Sequence, residues 1–146
     1  MLYIRIHYLE HLEESGNLTN KKTQESRRRH YVKENKIIII DNYKELATTY
    51  ANILRKNRYV ADTAQTYKEA LEKIFTNNYA AAIIDSELPD SRSILLELSK
   101  SNTIKIVVTD FPEKAILDGA DACLTKIVKP EEFLCLIKRM LKEIRQ

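Results

Sequence analysis

From Lys36 onward the chain alternates two kinds of segment. Short strand-like runs (Ile37-Ile38-Ile39-Ile40, Ala80-Ala81-Ala82-Ile83-Ile84, Ile106-Val107-Val108 and Ala122-Cys123-Leu124-Thr125) are separated by stretches whose apolar residues recur at helical spacing. The alternation predicts strand and helix repeated, hence a parallel sheet with helices on both faces. The runs do not alternate polar with apolar, which fits strands covered on both sides. The strands expected are Lys36 to Asp41, Tyr59 to Thr63, Ala80 to Asp85, Lys105 to Thr109 and Ala122 to Lys126.

Helices are expected between them. The first runs from about Lys44 to Arg55, with Leu46, Tyr50, Ile53 and Leu54 on its inner face. The second opens at Thr66 with Glu69 three residues on, a capping box in which each side chain can satisfy an orphan backbone donor. It is expected to bury Ala70, Leu71, Ile74 and Phe75. The third spans Ser91 to Ser99. A short fourth starts at Pro112 and stops at Gly119, the N1 proline and C′ glycine that bracket a helix. The fifth starts at Pro130 and turns Phe133, Ile137, Met140, Leu141 and Ile144 inward.

Composition shifts near Asn35. Residues 1–35 form a polar N-terminal extension after a short apolar start, and 36–146 form the domain proper. Leu2, Ile4, Ile6 and Tyr8 suit an added edge strand, whereas Leu2, Ile6 and Leu9 suit a helix face; so short a segment leaves linker, helix and strand open. The 146 residues suit one domain with a real core, and a formal net charge of +3 does not by itself imply nucleic acid. Arg27-Arg28-Arg29-His30 is a small basic patch, read as a solvated linker, with an acidic partner or nucleic acid as the sharper alternative. His7, His11 and His30 lack acids or cysteines at ligand spacing and are read as surface residues. Cys123 and Cys135 match no metal motif and are expected as reduced, partly buried thiols. No apolar run approaches the roughly 18 residues of a membrane span, and Arg5, His7 and Glu10 interrupt any secretory core. A cytoplasmic protein without membrane contact is expected. With only 2 glycines, tight turns fall to Asn, Asp and Pro, as at Asn57 and Asn77-Asn78.

The chemistry lies where the apolar runs stop: at Asp41, Asp85, Thr109 and Lys126. In an open parallel sheet, ligands bind outside the carboxyl ends of the strands. Two carboxylates about 4 Å apart repel by about 1 kcal/mol in water and about 4 kcal/mol at an effective dielectric of 20. A divalent cation removes that penalty, and Mg²⁺ takes one or two carboxylates with waters and phosphate oxygens. Two acids, a hydroxyl and an ammonium therefore suit a phosphoryl group held on a carboxylate beside Mg²⁺.

The matching pieces are Ile39-Ile40-Asp41-Asn42, Ile83-Ile84-Asp85-Ser86-Glu87-Leu88-Pro89-Asp90, Val107-Val108-Thr109 and Gly119-Ala120-Asp121-Ala122-Cys123-Leu124-Thr125-Lys126, followed by Pro130-Glu131-Glu132-Phe133-Leu134. In order and spacing they resemble the receiver domain of two-component response regulators, over Lys36 to Gln146. The resemblance implies an α/β, flavodoxin-like three-layer (βα)5 sandwich with a five-stranded parallel sheet in order 2-1-3-4-5. It implies that Asp85 accepts a phosphoryl group from a phosphohistidine on a sensor kinase or phosphotransfer protein. Asp41 and Asn42, with Asp85 and the carbonyl of Glu87, would hold Mg²⁺. Lys126 would pair with the acyl phosphate, and Thr109 would hydrogen-bond a phosphate oxygen.

The chain departs from that family at named positions. Asn42 stands where a second acid is usual, removing one charge from the metal site, for which an inward Glu87 side chain would compensate. Cys123 stands where Tyr or Phe is usual. Ile127 replaces a proline whose preceding bond is often cis; before Ile127 a cis bond would cost about 2.5–4 kcal/mol, so trans is expected. The last helix runs to the C-terminus, so output is expected through a partner protein or self-association, including a homodimer. Three readings follow: a phosphorylatable receiver, a degenerate receiver acting as a phosphorylation-independent interaction module, and an enzyme such as an aspartyl-phosphate hydrolase or flavodoxin-like nucleotide binder. The third lacks an Asp-x-Asp pair after the first strand and a Gly-rich phosphate loop. A phospho-acceptor signalling domain rather than an enzyme is therefore expected.

Overall fold

The computed structural model describes residues 2–4, 36–126 and 128–145. The elements in chain order are β1 (Leu2–Ile4), β2 (Lys36–Ile40), α1 (Lys44–Lys56), β3 (Val60–Ala64), α2 (Tyr67–Thr76), β4 (Ala81–Asp85), α3 (Ser91–Leu98), β5 (Ile104–Val108), α4 (Pro112–Leu117), β6 (Ala122–Leu124) and α5 (Pro130–Arg145).

The sheet order is β1-β6-β5-β4-β2-β3. Its five parallel strands, counted from Lys36, follow the order 2-1-3-4-5, as the resemblance implies. The sixth strand is β1, antiparallel to β6, with Leu2 opposite Leu124 and Ile4 opposite Ala122. Ile6, Tyr8, Leu9, the three histidines, the Arg27–Arg29 patch and the bond before Ile127 lie outside the described residues.

Burial explains why the strand runs are apolar without alternation. Ile37 and Ile39 face one core with Ala47, Tyr50, Ala51 and Leu54 of α1 and Phe133, Leu136, Ile137 and Met140 of α5. Ile38 and Ile40 face the other, with Ala70, Ile94, Leu95 and Leu98 of α2 and α3. All four isoleucines are at most 1% exposed. Each buried Ile or Phe is worth roughly 1.5–3 kcal/mol against exposure, so this strand fixes both layers. Tyr50 and Phe133 pack ring to ring at 4.9 Å, tying α1 to α5.

Turn chemistry follows the residues expected. Asn57 caps α1, and Asn77 caps α2. The Thr66 hydroxyl accepts from the Glu69 N–H at 3.1 Å, while the Glu69 carboxylate reaches back to the N–H of Gln65 instead of Thr66. Gly119, one residue past the C-cap of α4, has φ +113°, a conformation that glycine adopts without Cβ strain.

Several inner-face assignments are corrected. Leu46 is 41% exposed and Phe75 69% exposed. Leu71 is half-buried, whereas Ile53 and Ile74, also half-buried, do pack against the two cores as expected. The inner face of α1 is Ala47, Tyr50, Ala51 and Leu54, one position round from the expected stripe, because small alanines let the helix approach the sheet. Phe75 lies in the last turn of α2, whose only fully buried residue is Ala70. Cys135 is exposed, contrary to expectation, whereas Cys123 is fully buried. The strand ending at Lys126 stops at Leu124, leaving Thr125 and Lys126 in the following loop.

Candidate functional site

The central strand pair sets the site. β2 and β4 are hydrogen-bonded neighbours, in register from Ile37 opposite Ala81 to Ile40 opposite Ile84. Asp41 and Asp85 therefore stand side by side at the carboxyl edge. Each is buried, 5% and 4% exposed. Local turns hold both carboxylates: Asp41 Oδ1 accepts the N–H of Tyr43 at 2.9 Å, and Asp85 Oδ1 accepts the N–H of Glu87 at 3.0 Å. These Asx turns orient the acids and leave Oδ2 of each for other partners.

The next two strands bring the remaining groups. Thr109 follows β5 and is 3% exposed; its hydroxyl accepts the N–H of Phe111 at 3.0 Å. Lys126 follows β6, and its Nζ lies 3.5 Å from Asp85 Oδ1 and 2.6 Å from Glu87 Oε2. The side chain of Glu87 is thus committed to Lys126, and it is 61% exposed at the rim. Asn42 is exposed beside Asp41.

The electrostatics follow from this crowding. Burial pushes the Asp41 carboxyl above the ordinary carboxylate range, and the neighbouring Asp85 adds to it; the Tyr43 N–H and Lys126 oppose the shift. Burial by itself would lower the Lys126 ammonium, but its hydrogen bond to Glu87 and the charges of Asp85 and Glu87 outweigh that and raise it. Tyr50, buried under the same edge, is raised first by burial and then by the negative charge of Asp41 and Asp85.

The donor set fits a hard, oxygen-seeking cation: two buried carboxylates side by side, with Asp85 raising the proton affinity of Asp41. No group of three or more His, Cys, Asp or Glu side chains is placed to hold a metal among the described residues. Mg²⁺ takes as few as one or two carboxylates and completes its shell with other oxygens and waters. Beside the acids, a cavity of about 300 Å³ opens between α3 and α4, reached by Thr109, Lys126 and Glu87 and floored by Ile84, Leu95 and Val107.

Sequence reasoning thus brought together Asp41, Asp85, Thr109 and Lys126, which meet at one edge. It did not foresee the Lys126–Glu87 ion pair or the place of Phe111. The first depends on side-chain conformation; the second carried a signal, since Phe111 stands two residues after Thr109 and directly before the N1 proline.

No family model matches the chain. The regulatory protein VanR of Enterococcus faecium is 26% identical over 119 residues, covering 76% of this chain and 52% of that protein. The chain therefore spans about half the length of that curated relative. A CheY-like response regulator receiver domain protein from Methanospirillum hungatei superimposes with a TM-score of 0.67 at 28% identity, over 75% of this chain and 95% of that one. The response regulator TrrA from Thermotoga maritima, solved in complex with Mg²⁺–BeF, gives a TM-score of 0.64 at 25% identity, over 72% and 97%.

The fold, with an acid pair at the carboxyl edge of a 2-1-3-4-5 sheet, defines a flavodoxin-like architecture. Within it, the chain is similar to the receiver domains of response regulators.

Proposed function

We propose that this receiver accepts a phosphoryl group on Asp85 from a phosphohistidine of a sensor kinase or phosphotransfer protein, in an Mg²⁺-dependent reaction, and signals through a partner protein or a homodimer. The observation that carries this reading is the convergence of Asp41, Asp85 and Lys126, with the Lys126 ammonium 3.5 Å from Asp85. A carboxylate oxygen of Asp85 attacks phosphorus as the P–N bond to the donor imidazole breaks. The electron pair leaves with that nitrogen, and an acyl phosphate remains on Asp85. Little covalent work is asked of the protein, so position and charge dominate.

Asp41 and Asp85, the amide oxygen of Asn42 and the carbonyl of Glu87 are the groups that would hold Mg²⁺, which supplies charge neutralisation when bound. Lys126 offsets negative charge on the phosphoryl oxygens. The Thr109 hydroxyl, whose lone pair already accepts from Phe111, keeps its proton free to donate to one of them. That TrrA was solved in complex with Mg²⁺–BeF supports this reading. The reading makes the domain a phospho-acceptor in the cytoplasm and not a turnover enzyme.

Two observations favour a second reading, a degenerate receiver acting by constitutive protein contact. Asn42 supplies no charge, and Lys126 rests closer to Glu87 than to Asp85. Beryllofluoride with Mg²⁺ separates the two. Binding seen by fluorine NMR and abolished by Asp85→Ala supports the first; no binding in millimolar Mg²⁺ supports the second.

A further inference from the structure

The sheet has two edges, and they are closed in different ways. β6 is covered by the antiparallel strand β1. At the far side β3 is outermost and, among the described residues, pairs with β2 alone. An uncovered edge strand presents unpaired backbone groups and is a template for another chain. Which groups of β3 point outward follows from its ladder. The Ala64 carbonyl accepts the N–H of Asp41, the residue after β2. Val60, Asp62 and Ala64 therefore turn their backbone groups toward β2, and alternation leaves those of Ala61 and Thr63 facing out.

Both outward carbonyls are taken by cations from the flanking helices. Arg55, in the last turn of α1, donates from Nη2 to the Ala61 carbonyl at 2.7 Å. Lys73, in the last turn of α2, donates from Nζ to the Thr63 carbonyl. Each cation is steadied by a neighbour on its own helix: Arg55 Nη1 by Asn52 Oδ1 at 3.5 Å, and Lys73 Nζ by Glu69 Oε1 at 3.3 Å. The helices lie on opposite faces of the sheet, so the two heads close over the edge from both sides.

We propose that Arg55 and Lys73 guard the β3 edge against a second copy of this chain. Identical edges are self-complementary about a two-fold axis. Two β3 strands placed antiparallel about Asp62 would set Ala61 of each copy opposite Thr63 of the other. With both carbonyls occupied, that pairing forms only if the cations let go, and it then brings like charges together across the joint. Val60, 52% exposed at the start of the strand, is the apolar surface such a joint would cover. The guard directs any self-association of the domain away from β3. The inference does not depend on phosphorylation of Asp85.

Arg55→Met with Lys73→Met removes both charged heads and keeps apolar stems of similar reach. Sedimentation velocity over a concentration series reads association, and a thermal melt shows that the chain is folded. The double substitution should tighten self-association roughly tenfold or more over the parent, the scale of two freed backbone hydrogen bonds. Arg55→Lys with Lys73→Arg keeps both donors and should sediment as the parent does. Thr63→Pro removes an outward N–H that the ladder with β2 does not use, so it should leave the parent folded and abolish the gain in the doubly substituted chain. A folded double variant that associates no more than the parent overturns the guard, as does a gain that survives Thr63→Pro. A parent unfolded by Thr63→Pro also overturns it, because the outward face is then misassigned. If the double variant does not fold, Arg55→Ala with Lys73→Ala is read by the same criteria; loss of folding in both shows that the cations hold the fold and do not guard its edge.

Discussion

The Lys126 ammonium is held by Glu87 at 2.6 Å, closer than the 3.5 Å that separates it from the acid it would serve. Glu87 therefore competes with any phosphoryl group on Asp85 for the site's cation. At the rim the pair is screened, and exposed ion pairs are worth about 0.2–1 kcal/mol. Glu87→Gln should tighten beryllofluoride binding by roughly two- to fivefold, the size of such a pair. The gain should shrink in high salt, where exposed charges are screened. Titration followed by fluorine NMR at two ionic strengths checks it; unchanged or weaker binding counts against the competition.

Asn42→Asp restores a charge next to the acid pair. At about 4 Å, one unit charge is worth about 1 kcal/mol in water and about 4 kcal/mol at an effective dielectric of 20. Asn42 is exposed, so the lower figure governs. Calorimetry should show Mg²⁺ binding about fivefold tighter, the equivalent of about 1 kcal/mol. The metal-free variant should also melt earlier than the parent.

Asp41 makes stability depend on pH. Its carboxyl is raised in the fold by burial and by Asp85, so the folded chain binds more protons than the unfolded chain as pH climbs past the ordinary carboxylate value. Stability then falls with rising pH across that window, and ionised Asp41 is a cost at neutrality. Asp41→Asn keeps an oxygen for the Tyr43 N–H and removes the charge. It should melt a few degrees higher at neutral pH without Mg²⁺, flatten the pH dependence, and lose the rise in Tm that Mg²⁺ gives the parent. A lower Tm at neutral pH contradicts this account.

Residues 36–146 should fold alone. Both cores are built from elements after Lys36, and among the described residues of the extension only Leu2–Ile4 join the sheet, at its edge. A fragment beginning at Lys36 should unfold cooperatively and bind Mg²⁺ as the full chain does, with a modest loss of Tm from uncovering β6. Loss of cooperative unfolding would show that the extension belongs to the domain.

How much of this was written in the residue order differs by element. Asp41 and Asp85 were legible because each ends an apolar run, and a buried parallel strand delivers its last residue to the carboxyl edge. Lys126 was legible by the same logic, although β6 stops two residues earlier. The stripe on α1 was misread because Leu46 carries a stronger hydrophobic signal than Ala47 and Ala51, yet it is the small residues that permit close packing. Phe75 shows the same limit: an aromatic counts toward a core in any pattern, yet it stands exposed. The choice of Lys126 between Glu87 and Asp85 lay beyond the pattern, since it is made by rotamers.

The central claim is tested most directly by the mass of Asp85. The protein is incubated with acetyl phosphate and Mg²⁺, trapped at low temperature and measured intact and after digestion, beside the Asp85→Ala variant. One added phosphoryl group on the peptide that contains Asp85, dependent on Mg²⁺ and missing from the variant, is the outcome predicted. An unmodified Asp85 under these conditions, or equal labelling of the variant, would contradict the account.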